Sequence, residues 1–115
     1  MEEEDESLTW RWPALIELLK NEVEAGSNII QVAISPDSIR TIGETSHDDV
    51  QSLIDRLNKI QARSDIRTAS TKDRETHGGQ GIFTTRSNAR KFGGDLIYSD
   101  DGNGHLVATL TWKNI

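Results

Sequence analysis

Apolar residues recur along the chain in two rhythms, one of three to four residues and one of two. From Pro13 to Ala25 the positions Leu15, Leu18, Leu19 and Val23 follow the longer rhythm and predict a helix with those side chains on its buried face. Pro13 suits the first turn, where its missing N–H has no partner in any case, and Gly26 is placed to stop the helix. Asn28 to Ile34 reads as a strand, Ser35-Pro36-Asp37-Ser38 as a turn, and Ile39 to Ile42 as the returning strand. Ser46, with Asp49 three residues on, resembles a capping box. Behind it Val50, Leu53, Ile54, Leu57 and Ile60 repeat with helical period, the clearest helix in the chain. Ala62 to His77 is polar, with hardly an apolar anchor besides Ile66, and reads as a mobile surface loop. A glycine-rich turn from Gly78 then opens a helix that ends near Phe92, and Gly93-Gly94 reads as its stop and the entry to a strand. Asp95 to Ser99 and Leu106 to Trp112 alternate as two strands around the turn Asp100-Asp101-Gly102-Asn103-Gly104, with Leu106, Ala108, Leu110 and Trp112 on one face. Helix, hairpin, helix, loop, helix, hairpin is an order that suits one sheet with helices packed on one side.

Composition narrows the picture. At 115 residues the chain can build one core but not two. Residues 1–8 carry five acidic side chains, so residues 1–9 are expected to form a disordered lead-in and 10–115 a single domain. No apolar run approaches a membrane span, and the acidic N-terminus is unlike a secretory signal, so a soluble, cytoplasmic protein is expected. The absence of cysteine excludes disulfides and cysteine–zinc sites, and His47, His77 and His105 show no metal-ligand spacing. A net charge of −6 argues against nucleic acid as a partner. The charge is nevertheless uneven: Arg56, Lys59, Arg63, Arg67, Lys72, Arg74, Arg86, Arg90 and Lys91 face only Asp65, Asp73 and Glu75 between positions 56 and 91, which could attract an anion. The turn at Gly78, Gly79 and Gly81 could supply a seat for one. Glycines let the backbone come close to a ligand, and the helix that follows aims N–H groups and the positive end of its dipole at one spot. Trp10, Trp12 and Trp112 either pack together in the core or, if exposed, mark a partner surface.

Two stretches at opposite ends of the chain resemble one family, the ATP-binding domains of the GHKL superfamily. Glu17-Leu18-Leu19-Lys20-Asn21-Glu22-Val23-Glu24-Ala25-Gly26 is similar to that family's N box, and a spacing of four sets Glu17 and Asn21 one turn apart on one helix face. Gly79-Gln80-Gly81-Ile82, followed by Gly93-Gly94 and the strand at Asp95-Leu96-Ile97, looks like the G2 box, its helix and the next strand, while Ser70-Thr71-Lys72 sits where sensor kinases have a similar short run. The resemblance covers roughly residues 13–112. It implies a Bergerat-type fold: an α/β (α+β) two-layer sandwich whose mixed, mostly antiparallel sheet carries helices on one face. By the same resemblance ATP would bind with Mg²⁺ held through Asn21, the backbone of Gly78, Gly79, Gln80, Gly81 and Ile82 together with Lys72 would contact the phosphates, and Glu17 would be the general base.

The departures from the family pattern bear on function. The family's G1 box, D-x-G-x-G, has an aspartate that accepts the adenine amino group; the corresponding stretch here runs from Ile39 to His47, with Gly43 near the aspartate position. His77 stands at the first glycine of the G2 box, and Glu22 replaces the alanine after the N-box asparagine. The resemblance with these departures therefore implies a regulatory or adaptor module with a degraded nucleotide site, one that keeps weak ATP and Mg²⁺ binding or binds no cofactor and acts through its surfaces, and a protein partner. The alternative is a functional ATP-binding or hydrolysing module that works with a partner chain.

Overall fold

A computed structural model describes residues 9–45, 49–60 and 80–113. Seven elements follow in order: α1 (Arg11–Glu24), β1 (Ile30–Ser35), β2 (Ser38–Gly43), α2 (Val50–Asn58), α3 (Gln80–Lys91), β3 (Leu96–Asp100) and β4 (Leu106–Thr111). The strands form one sheet in the order β1-β2-β4-β3, and every pairing is antiparallel rather than mixed. Two sequential hairpins are thus joined through their second strands.

The two-residue alternation of the strands decides which face is covered. Ile39, Thr41 and Gly43 stand opposite Leu110, Ala108 and Leu106, which in turn face Leu96, Tyr98 and Asp100. This face meets Ala14, Leu18 and Ala25 at α1, Leu53, Ile54 and Leu57 of α2, and Ile82 and Ala89 of α3 in one apolar core. The described residues form a small α+β sandwich of a four-stranded sheet and three helices. None of the described helices is long and apolar enough to cross a membrane.

The ends of the elements are fixed by local chemistry. Asp49 itself caps α2, accepting a hydrogen bond from the Ser52 amide at 3.0 Å, so it is the cap rather than the third residue of a box. Ser46, and the whole of the stretch expected to be a loop from Ala62 to His77, lie outside the described residues. Gly93 takes φ +90°, and a Cβ on Gly94 would run into the backbone of Thr111, so the pair ends α3 and brings the chain tightly onto β4. Trp112 pins the far end of the sheet: its Nε1 donates to Pro36 O at 3.0 Å in the β1–β2 turn, while its ring meets Trp10 edge-on at 5.6 Å. Trp10 also stacks on Phe92 at 5.9 Å, whereas Trp12 is 65% exposed. The tryptophans divide between core and surface.

Arg86 is the largest of the fully buried side chains, and it is buried without a full ionic partner. Its Nε and Nη2 donate to Leu96 O at 3.0 and 2.7 Å, and its Nη1 reaches the carbonyls of Leu57, Asn58 and Ile60. Those last acceptors lie at the C-terminus of α2, where the helix dipole favours a cation. Asp95 Oδ1 lies 3.5 Å from Nε and assists from the rim, but burial dominates and lowers the pKa of the guanidinium. Beside it the Asn58 side chain brackets strand β3, donating to Tyr98 O at 2.8 Å and accepting from the Tyr98 amide at 2.9 Å.

Arg86→Met should destabilise the fold by about 3–5 kcal/mol, because it leaves several buried carbonyls without donors. Urea unfolding followed by circular dichroism checks this. Arg90→Met, whose surface pair with Asp95 is worth less than about 1 kcal/mol, is the matched control.

Candidate functional site

The seam between α1 and the rest of the molecule is where polar groups enter the interior. Its buried face differs from the one the apolar rhythm predicts: Ala14, Leu18, Asn21 and Glu22 are buried, Leu15 and Leu19 are only partly so, and Val23 is 64% exposed. The reason lies across the seam. A Cβ at position 43 would collide with the Glu22 carboxylate and Ser27 Oγ, so the glycine leaves the space that the carboxylate occupies. Glu22 is wholly buried there and accepts from Ser27 Oγ at 2.8 Å and from Thr41 Oγ1 at 3.4 Å. Desolvation raises its pKa, and these two hydroxyls offset the rise in part.

One turn earlier, Glu17 meets the start of α3. A Cβ on Gly81 would run into its carboxylate, so Glu17 rests on the first turn of that helix, where backbone N–H groups lack intrahelical acceptors. An anion is stabilised at that position. Burial nevertheless raises the Glu17 pKa, opposed by Lys20 and by a hydrogen bond from Asn21. Asn21 Nδ2 also donates to the Tyr98 hydroxyl at 3.0 Å, and burial drives that phenol well above its ordinary range.

A cleft of about 540 Å³ runs along the α1–α3 seam, lined by Trp10, Pro13, Ala14, Glu17, Gly81, Thr84, Thr85 and Asn88. Trp10 Nε1 is a buried donor without an acceptor among the described residues. The walls can offer a carboxylate, hydroxyls and an amide to a polar molecule.

The structure brings together Glu17, Asn21 and Gly81 of the residues singled out from sequence. Ile82 turns its side chain into the core at 0% exposure, and α3 begins at Gln80. Gly78, Gly79 and Lys72 lie outside the described residues, as do His47 and His77. His105 is engaged locally, its Nδ1 2.7 Å from Asp101 Oδ2 in the β3–β4 turn. No group of three His, Cys, Asp or Glu among the described residues could hold a metal ion. Tyr98, Thr41 and Trp10 were not singled out for the site. The inward alternation of Leu96 and Tyr98 was a signal for the first of them, placing the only tyrosine of the chain under the helices.

Two carboxyls with raised pKa values, Glu22 wholly buried and Glu17 partly so, give a signed pH dependence. Between the ordinary glutamate range near 4.5 and the raised folded values, the folded state holds more protons than the unfolded one, so stability falls as pH rises through that window. Urea midpoints should accordingly be higher at pH 5 than at pH 7.5. Glu22→Gln should raise the midpoint at pH 7.5 and flatten the dependence, whereas a wild-type midpoint that climbs with pH would contradict the assignment.

Comparisons of the chain with protein-family models, with curated proteins and with solved structures find no match.

Proposed function

We propose that this chain is a histidine kinase-like ATPase fold of the Bergerat type that serves as a cytoplasmic regulatory or adaptor module, with a degraded nucleotide site and a protein partner. One observation carries the reading: the Glu22 carboxylate fills the space beside Gly43. In the family pattern an aspartate near position 43 accepts the adenine amino group and position 22 is an alanine. Here position 43 is a glycine and position 22 a glutamate, whose carboxylate is wholly buried on Ser27 and Thr41. The base end of the site therefore does not fit adenine in the family manner. Losing such a hydrogen bond to a charged group costs about 1.5–3 kcal/mol, roughly 10- to 150-fold in affinity.

The phosphate end fits better. Glu17, Asn21 and the opening turn of α3 are adjacent, and Mg²⁺ would be held through Asn21 with the backbone of Gly79 to Ile82 on the phosphates. Asn21 would first have to leave the Tyr98 hydroxyl, and Glu17 already lies where a phosphate would be attracted. Both facts favour residual, metal-dependent binding over efficient hydrolysis. The raised pKa of Glu17 supports the second reading, a hydrolase completed by a partner chain, because a carboxyl moved toward neutrality is a better general base.

Isothermal titration tests the proposal. The wild-type chain should bind ATP and GTP with Mg²⁺ equally weakly, and Asn21→Ala should abolish what heat there is. Gly43→Asp alone should destabilise the fold by setting a second carboxylate against Glu22. The paired exchange Glu22→Ala with Gly43→Asp should fold, prefer ATP to GTP, and bind ATP about 10- to 150-fold more tightly than wild type. Tight ATP-selective binding by the wild-type chain, or a folded exchange variant with no gain, would overturn the reading.

A further inference from the structure

The two edges of the sheet are treated differently. On β3 the Asn58 side chain engages the backbone of Tyr98 as donor and acceptor, and α2 packs alongside. On β1 no described residue pairs with the outer edge. That strand reads Ile30-Gln31-Val32-Ala33-Ile34-Ser35, with none of the charges or prolines that ordinarily protect an open edge.

The helix-side face of β1 is also bare. Ile30, Val32 and Ile34 stand opposite Gly43, Thr41 and Ile39, three positions buried beneath the helices, yet Val32 is 43% and Ile34 60% exposed. Among the described residues the helix layer ends at α1, which packs over β2. Its outer flank is apolar too: Trp12, Ile16 and Val23 are each about two-thirds exposed. A helix that is apolar on most sides is ordinarily covered on most sides. The flank and the strand meet in a hollow of about 120 Å³ between Trp12, Leu15, Ile34 and Trp112.

We infer that this edge is a two-fold interface whose occupant is a second copy of the chain, β1 pairing antiparallel with the partner's β1 to give one sheet of eight strands. A docked helix would cover the bare face but leave the backbone N–H and C=O groups of the edge unpaired. A second β1 satisfies both, and an antiparallel pair of identical strands is its own complement. The alternation limits the register: helix-side residues of one copy must oppose helix-side residues of the other, and of the registers this allows the one centred on Val32 opposes all three, Val32 against Val32 of the partner subunit and Ile30 against Ile34 of the partner subunit. Spacing agrees as well. β2 and its symmetry mate lie three strand separations apart, about 14 Å, and two helices pack at about 8–10 Å, leaving a gap of a few ångström. Trp12, Ile16 and Val23 from both copies can fill it without room for a further helix. Five half-exposed side chains per copy, at about 60–120 Å² for each full side chain, place the contact at or below the lower end of stable interfaces. Association is therefore weak and concentration-dependent.

Sedimentation equilibrium of the full chain from about 10 µM to about 1 mM should show the mass rising from 12.8 kDa toward twice that value. Val32→Lys with Ile34→Lys should shift the rise to concentrations at least about tenfold higher. Because the chain has no cysteine, Val32→Cys introduces a single thiol that should oxidise to a covalent dimer across the two-fold, where opposed Cα atoms lie within disulfide reach; Ile97→Cys, on the other edge strand and 49% exposed, should not. A constant single-chain mass with no cross-link in V32C, a double lysine variant that dimerises like wild type, or equally rapid cross-linking of I97C would each overturn the inference.

Discussion

The guanidinium of Arg86 holds three elements in register that no covalent or apolar contact would fix alone. It stands inside α3, receives the carbonyls at the end of α2, and clasps the first residue of β3 through Leu96 O. A cation in an apolar interior is costly, and what offsets the cost is the convergence of backbone acceptors that themselves need donors. Take away the charge and the carbonyls are orphaned; take away the carbonyls and the charge cannot be buried. Placement of α3 against the sheet, and with it the position of Gly81 opposite Glu17, follows from that mutual requirement.

Much of the fold could be read from residue order. Both hairpins, the period of Leu53, Ile54 and Leu57, and the stop at Gly93-Gly94 are local patterns, and the structure reproduces them with shifts of a residue or two at the ends. The buried face of α1 could not be read the same way. A hydropathy pattern assigns Val23 to the interior and Glu22 to solvent, yet the missing side chain at Gly43, across the seam on β2, makes the hole that reverses them. Such a fit depends on two residues far apart in sequence, and neither alone announces it. The Glu17–Asn21 spacing was legible for a similar reason in reverse: it is confined to one helix. That Asn21 would find Tyr98, 77 positions on, was not.

The polar strip at the α1 seam gives this small core directionality. Leu, Ile and Ala side chains can slide past one another with modest penalty, but a carboxylate held by Ser27 and Thr41, and an amide held by a phenol, permit few alternative arrangements. Burying them uses stability that a domain of this size has little of. The same groups fix where α1 sits, and hence which of its flanks is left toward solvent.

The bracket of Asn58 on β3 has a consequence for how many chains can associate. A sheet with two open edges is a divalent building block, and divalent blocks polymerise. Here a single amide side chain imitates a neighbouring strand, presenting one donor and one acceptor to the backbone of Tyr98, and so removes one of the two valences. Edge-to-edge growth from the other side must end at two chains, however apolar that side is.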